Sequence, residues 1–315
     1  MASAMLLIDA DILLHLTTAV TERDIDWGDG MSTIHADHKE MQVMAKRELN
    51  KIIEGVDIKN PKVILCFSGD QNFRKALYPD YKANRTGRKP VGYAVLKKWL
   101  MENYMYKSVH GLEADDLMSI MQTSGKYGKT VIVSDDKDML QVPGKIYRPR
   151  TKELLEVSVS DGIRHHMIQT LTGDKADNYP GCPGVGPKTA EDILDGDPLA
   201  WWSAVVEAYT KRGLTEADAL LQARVAKILQ IKDFNQRTKE PILWNPPRST
   251  ASTAATTSTA HAATTSSPKI VETAQPETTP PVKRGRSSTS KAARSSKKRS
   301  QAQPSTSPTT TPSTK

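Results

Sequence analysis

Cysteine is scarce in this chain: Cys66 and Cys182 are the only two among 315 residues. Two cysteines cannot build a disulfide framework, and no Cys or His pair stands at ligand spacing, so a zinc site is not expected either. Long apolar runs are missing too. Nothing approaches the ~18 consecutive apolar residues of a membrane span. Met1–Leu16 carries Asp9 and Asp11, unlike a secretory leader. The expectation is a protein of the reducing cytoplasm with no membrane partner. Ser–His–Asp and Cys–His arrangements are absent as well; His165 and His166 fall in a predicted helix without ligand spacing and read as structural or exposed.

Most of the chain also lacks net charge. Residues 246–315 hold 11 Lys and Arg against 2 Asp and Glu, a net +9, which leaves 33 basic and 34 acidic residues in 1–245. The overall +8 therefore belongs to the end of the chain. From Pro246 onward Ser, Thr, Ala and Pro dominate, with basic clusters at Lys283–Arg286 and Lys291–Arg299. Such a segment has too few large apolar residues to offset the entropy of ordering, so 248–315 is expected to be a disordered basic tail. The hydrophobic content of 37% is enough for a core in the rest.

Within that nearly neutral body, acids recur where strands should end. Met5–Ile8 reads as a buried strand leaving through Asp9-Ala-Asp11, and Val63–Phe67 as a second leaving through Ser68-Gly69-Asp70. Thr130–Val133 is a third, leaving through Ser134-Asp135-Asp136-Lys137-Asp138. Ile146–Tyr147 and Leu154–Val159 are weaker candidates. Helical spacing over His35–Glu54 and Pro90–Tyr104 separates the strands, which implies a mostly parallel sheet. Open sheets of this kind bind ligands beyond the carboxyl ends of their strands.

The stretch Gly111-Leu-Glu-Ala-Asp-Asp-Leu-Met118 places Glu113, Asp115 and Asp116 in the first turn of a helix. Alone it is a well-capped helix start, because acids favour the positive end of the macrodipole. Beside three acidic strand exits it becomes a candidate cation site, since clustered carboxylates need a cation or protons to coexist.

A second texture begins at Leu171: Gly173-Asp-Lys-Ala-Asp177-Asn, then Gly184-Val-Gly186-Pro-Lys188. Pro187 separates Gly186 from Lys188, so this is not a P-loop. Glycines entering a helix at Pro187 suit either a simple turn or a hairpin whose N–H groups meet a nucleic-acid phosphate. Trp201, Trp202, Val205, Val206 and Tyr209 at helical spacing read as core, and Thr215–Ile231 as an amphipathic helix capped by Thr215.

Four segments in order carry a resemblance: Phe67–Arg74 continuing through Tyr78-Pro-Asp-Tyr-Lys82-Ala-Asn-Arg85; Gly111–Asp116; Val133-Ser-Asp-Asp-Lys-Asp138; and Gly173–Asn178. Together they resemble the 5′ nuclease superfamily of flap endonucleases, polymerase I 5′→3′ exonuclease domains and phage exonucleases. Lys89-Pro-Val-Gly-Tyr93 and Leu243-Trp-Asn-Pro-Pro247 bring the likeness nearest to the stand-alone exonucleases of short-tailed phages. The resemblance spans about residues 5–247 and leaves out the tail.

The resemblance implies an α/β fold: a PIN-like core with a mostly parallel twisted sheet flanked by helices, a helical gateway and a helix–hairpin–helix element. The expected division is 1–159 for the core with its gateway, 160–247 for the helical region and 248–315 for the tail. It implies a first metal site of Asp9, Asp70, Glu113 and Asp115, with Asp116 as an extra acid. Asp136, Asp138, Asp174 and Asp177 make the second. Arg74, Lys82 and Arg85 would form the gateway that guides the scissile phosphate, while Gly184, Gly186 and Lys188 would hold the duplex backbone beside a K+ ion. The implied cofactor is a pair of Mg2+ ions, with Mn2+ as a substitute. The implied activity is 5′→3′ exonucleolysis of duplex DNA, with flaps and RNA–DNA hybrids as further substrates. Its setting would be phage replication or recombination in the host cytoplasm, alongside replication proteins. A flap-specific endonuclease and a non-catalytic DNA-binding homologue are the alternatives. The sequence is silent on oligomeric state.

Overall fold

Alternation of apolar residues on one short strand organises the fold. In the computed structural model, which describes residues 4–247, β1 (Met5–Asp9) lies inside a six-stranded sheet. Leu6 and Ile8 pack on one face of the sheet and Leu7 on the other, as a period of two requires. The following elements are α1 (Ala10–Thr21), β2 (Glu22–Gly28), β3 (Met31–Ala36), α2 (His38–Gly55), β4 (Lys62–Ser68), α3 (Phe73–Leu77) and α4 (Tyr93–Asn103). Next come β5 (Tyr106–Val109), α5 (Ala114–Thr123), β6 (Thr130–Val133), a 3₁₀ turn (Lys137–Gln141), β7 (Gly144–Arg148) and β8 (Glu153–Val157).

The sheet order is β5-β4-β1-β6-β7-β8, parallel throughout except for β8 at one edge. Leu13 and Leu14 of α1, Met41 and Leu49 of α2, and Leu96 and Leu100 of α4 cover the face carrying Leu6 and Ile8. Leu117, Met118 and Met121 of α5 cover the opposite face. Because β1, β4 and β6 run parallel, Asp9, Asp70 and the Asp135–Asp138 turn all leave from the same edge of the sheet. This is the mostly parallel, helix-flanked architecture expected from the sequence.

Four further helices follow: α6 (Val159–Thr172), α7 (Pro187–Ile193), α8 (Trp201–Thr210) and α9 (Glu216–Ala226). Met167, Leu171, Trp201, Val205, Tyr209 and Ala219 form a core of their own. His166 is buried and its Nε2 bonds the Ala223 carbonyl at 2.8 Å, a structural role.

Several elements differ from the sequence reading. The β2–β3 hairpin and β5 were not expected. α2 starts at His38, where Asp37 caps it through Lys39 N and Glu40 N, both at 2.8 Å. α4 starts at Tyr93 because Gly92 takes a left-handed φ of 85°. α9 is capped by Thr215 as expected but ends at Ala226 instead of continuing to Ile231. Lys227 turns to an extended conformation, and the backbone of Lys227–Leu229 is bonded to side chains from elsewhere. The tail expected over 248–315 lies outside the described residues.

Candidate active site

The acids at the sheet edge are held by their own local turns. Asp9 ends β1 and caps α1, its Oδ1 accepting from Asp11 N at 3.0 Å and Ile12 N at 3.2 Å. Burial, with Asp11 and Asp136 beside it, pushes its carboxyl up to about 7. Glu113 caps α5 and is crowded by donors: the Lys82 ammonium, the Tyr81 hydroxyl at 2.9 Å and Arg74 Nη1 at 3.1 Å. Burial alone would raise it, but Lys82 and Arg74 outweigh that and hold it at about 2.

Asp115, in the first turn of α5, is the least compensated. Its buried Oδ1 has no hydrogen-bond partner. Burial, then Asp9, Asp136 and Glu113, drive its carboxyl well above the usual range. Asp9, Glu113 and Asp136 thus all lie near enough to Asp115 to oppose its charge. Asp70 does not join them closely: it is exposed beyond β4 and is not among the acids that chiefly raise Asp9 or Asp115.

The second group surrounds Asp138. Asp136 Oδ1 accepts from Asp138 N at 2.8 Å, opening the 3₁₀ turn. Burial and the acids Asp136, Asp177 and Asp174 push Asp138 up to about 7, against a 2.5 Å hydrogen bond from Gln169 Nε2. Asp174 caps its own turn through Ala176 N at 2.6 Å and also takes the Lys137 ammonium at 2.7 Å. That turn depends on two glycines crossing. A Cβ on Gly173 would stand 2.4 Å from the Tyr179 carbonyl, and one on Gly181 would stand 2.2 Å from Gly173 N. Both have left-handed φ, 64° and 65°.

Basic side chains lie across these acids. Lys82 Nζ bonds Glu113 and stands 3.4 Å from Asp177 Oδ2, while Arg85 Nη2 bonds Asp177 Oδ1 at 2.7 Å. Lys82 has a left-handed φ of 56°, pinned by its N–H to the Asp177 carbonyl at 2.8 Å. Such an outlier persists where surrounding contacts over-determine it. Tyr81, which the sequence reading passed over within the quoted motif, bridges Glu113 at 2.9 Å and Asp177 at 2.8 Å.

Two residues expected at the site are buried behind it, bonded to Glu113 from the interior side. Arg74 is 1% exposed, and its donors go to the Val225 and Lys227 carbonyls, Asp116 and Glu113. It therefore does not guide a phosphate as a gateway cation. Asp116 is fully buried, takes both arms of the Arg74 fork and accepts from Leu229 N at 3.0 Å. Its carboxylate oxygens are thus committed to Arg74 and to backbone N–H groups. Removing either partner strands a buried charge, a cost of about 3–5 kcal/mol.

Gly184, Gly186 and Lys188 lie together on the surface at the start of α7. Gly184 has φ 71°, Gly186 caps the helix and Pro187 opens it. Nothing lies within 4 Å of where a Cβ would sit on either glycine, which leaves the backbone open to an approaching ligand.

Among the described residues, no three acidic, His or Cys side chains close as a finished metal cage. Lys82, Arg85 and Lys137 already neutralise Glu113, Asp177 and Asp174. The donors nonetheless suit hard divalent cations: they are carboxylates, Asp115 has a buried oxygen without a partner, and Asp9 and Asp138 keep protons near neutrality.

Residues 5–162, the sheet with its acidic edge, match the family model described as 5′-3′ exonuclease, N-terminal resolvase-like domain. The chain belongs to this family. It is a nuclease, a hydrolase of phosphodiester bonds with 5′-3′ exonuclease or flap nuclease function. It is 28% identical over 286 residues to the exodeoxyribonuclease of Enterobacteria phage T3, covering 77% of this chain and 93% of that protein. The exonuclease of Escherichia phage T7 is 28% identical over 285 residues with the same coverage. The Shewanella oneidensis flap endonuclease Xni is 29% identical over 182 residues, or 50% of this exonuclease-family chain and 67% of its own length. In three dimensions, a phage T5 flap endonuclease crystallised with DNA and metal ions aligns with a TM-score of 0.50 at 14% identity. The alignment covers 71% of this chain and 89% of that one, and supports the fold. No helix among the described residues is long and apolar enough to cross a membrane.

Proposed function

We propose that this nuclease hydrolyses duplex DNA from 5′ ends with two divalent cations, Mg2+ or Mn2+, held at the acidic edge of the sheet. The observation carrying this is the buried, unpartnered Asp115 Oδ1, on a carboxylate whose charge is opposed by Asp9, Asp136 and Glu113. Asp9, Glu113 and Asp115, with Asp70 at the rim, form the first set of ligands. Asp136, Asp138, Asp174 and Asp177 form the second. When bound, the two cations supply a deprotonated water, charge relief on the phosphate and stabilisation of the leaving alkoxide.

The chain's own residues supply approach and orientation. Lys82 and Arg85, paired here with Glu113 and Asp177, would be free to meet the scissile phosphate and the single-stranded 5′ end when those acids hold cations. Lys137 would be freed from Asp174 in the same way. Lys188 and the open backbone at Gly184 and Gly186 hold a duplex phosphate, with K+ as an assisting ion. This assigns 1–159 to the nuclease core and 160–247 to duplex binding. Flaps and RNA–DNA hybrids fit the same site, and the phage relatives favour a role in phage replication or recombination within the host cytoplasm, beside replication proteins.

The test is digestion of duplexes labelled at the 5′ or the 3′ end, with and without a flap or an RNA strand, in Mg2+ and in EDTA. Early release of the 5′ label, abolished by EDTA, is expected. Release from 3′ ends, or cleavage insensitive to EDTA, would overturn the reading. Single cuts at a flap junction without erosion of blunt ends would favour the flap endonuclease instead.

A further inference from the structure

The end of α9 and the residues that follow it are held from two directions. The Val225 and Lys227 carbonyls accept from Arg74 at 2.9 and 2.5 Å, and Leu229 N donates to Asp116 Oδ1 at 3.0 Å. The residues between them turn the other way. The Ala226 carbonyl accepts from Gln141 Nε2 at 2.7 Å, and Ile228 N donates to Gln141 Oε1 at 3.0 Å. Val225 and Ala226 close the last turn of α9 and Lys227 is the extended residue that leaves it, so the helix end and the few residues after it together serve two partners.

Each partner leads to a different set of acids. Arg74 continues to Glu113 Oε2 at 3.1 Å, and Asp116 Oδ2 accepts from Glu113 N at 3.3 Å, one residue from Asp115. Gln141 Nε2 continues to Gln169 Oε1 at 2.5 Å, and Gln169 Nε2 to Asp138 Oδ1 at 2.5 Å. Arg74, Asp116, Gln141 and Gln169 are all buried, at 1, 0, 0 and 4% exposure, so none reaches a substrate. The glutamine amide has one consistent orientation: two N–H bonds go to two carbonyl oxygens, and its oxygen faces an N–H. The strap also continues from α9, whose Ala219 packs in the helical core with Met167 of α6 and Val205 of α8.

We propose that residues 225–229 form a spacer strap that fixes the separation of the two carboxylate sets and ties both to the helical region. In it, Arg74 and Asp116 position the first set, and Gln141 and Gln169 the second. The proposal rests on the reading that these acids hold divalent cations, but its mechanical part stands without metal. Displacing the whole strap moves Glu113 through one side and Asp138 through the other, while loss of a single strap bond loosens only the side it served.

Two substitutions remove one strap N–H each. Ile228→Pro deletes the bond to Gln141, and Leu229→Pro the bond to Asp116. Hydrogen exchange of the metal-free, full-length protein should then accelerate locally, by about tenfold for one lost bond. Ile228→Pro should act on 137–141 and Leu229→Pro on 113–117, each sparing the other segment. Mn2+ titration followed by electron paramagnetic resonance should show one class of site weakened about 10-fold or more in each variant, and not the same class, as for outer-shell partners of metal ligands. Equal acceleration of both segments by both variants, or wild-type exchange in both, would overturn the strap. If either proline prevents folding, Gln141→Leu and Asp116→Asn carry the same test, with the affected Mn2+ class as the readout. A wild-type protein that binds no Mn2+ would refute the metal reading and leave the exchange pattern to decide the strap.

Discussion

Glu113 and Asp177 share two donors: the Tyr81 hydroxyl, at 2.9 Å from one and 2.8 Å from the other, and the Lys82 ammonium, which bonds the first and stands 3.4 Å from the second. One cationic side chain therefore spans both carboxylate sets. In the proposed cycle it gives way to cations and then serves the phosphate.

Lys82→Ala should lower the single-turnover cleavage rate by about 10²–10³-fold, the usual loss for one electrostatic donor at a reacting group. Duplex affinity should change little. A filter-binding assay beside rapid-quench kinetics checks this, and a loss seen mainly in affinity would reassign Lys82 to general DNA binding.

Asp136→Asn and Asp174→Asn each replace an anionic ligand with a neutral near-isostere. Cleavage should collapse while thermal stability and DNA binding persist. Wild-type rates in limiting Mg2+ would remove these residues from the site.

Lys188→Ala should act in the opposite order to Lys82→Ala, weakening duplex binding before the cleavage rate. The slope of log affinity against log salt should flatten by about 0.9 for one lost phosphate contact. The same titration on protein truncated after Pro247 reports whether the net +9 of residues 246–315 adds contacts of its own.

Stability of the metal-free protein should fall as pH rises from 6.5 to 7.5. Asp9 and Asp138 have folded values near 7 against a usual 3.8, so the native state holds protons that the unfolded chain has released. Their stabilising contribution is full below about 4 and is lost as pH passes 7. His165 and His166, lowered from 6.5 to about 4 and about 3, act oppositely and offset part of the fall, since about half of the unfolded imidazoles still hold a proton at 6.5. Lys227, lowered to about 8, begins to add stability only above that range. Saturating Mg2+ should flatten the fall by replacing protons at the acids. Melting curves at three pH values, with Mg2+ and with EDTA, check it; a rise in EDTA would contradict the assignment.

Much of the site was legible because local structure and chemistry coincide in it. Asp9, Glu113 and Asp136 cap the elements they begin, so their positions follow from strand ends and helix starts. Arg74 and Asp116 were misread because a motif fixes neighbours in sequence but not the direction of a side chain. Their partners lie at Val225, Lys227 and Leu229, far along the chain, and no periodicity announces such contacts. The same reason hid the end of α9, where tertiary bonds override helix propensity. The β2–β3 hairpin escaped because both strands are largely exposed and lack a clean apolar alternation.

The strap is read through its main chain, and that sets which changes it can absorb. The side chains of 225–229 are buried in the surrounding cores, but the bonds to Arg74, Asp116 and Gln141 use only the main chain and need the N–H groups of Ile228 and Leu229. Length is another matter. Inserting one residue after Lys227 would exchange odd for even and turn the following N–H groups to the wrong partners, whereas inserting two would restore the phase. The tolerance of this nuclease to insertion after α9 is therefore a question of parity.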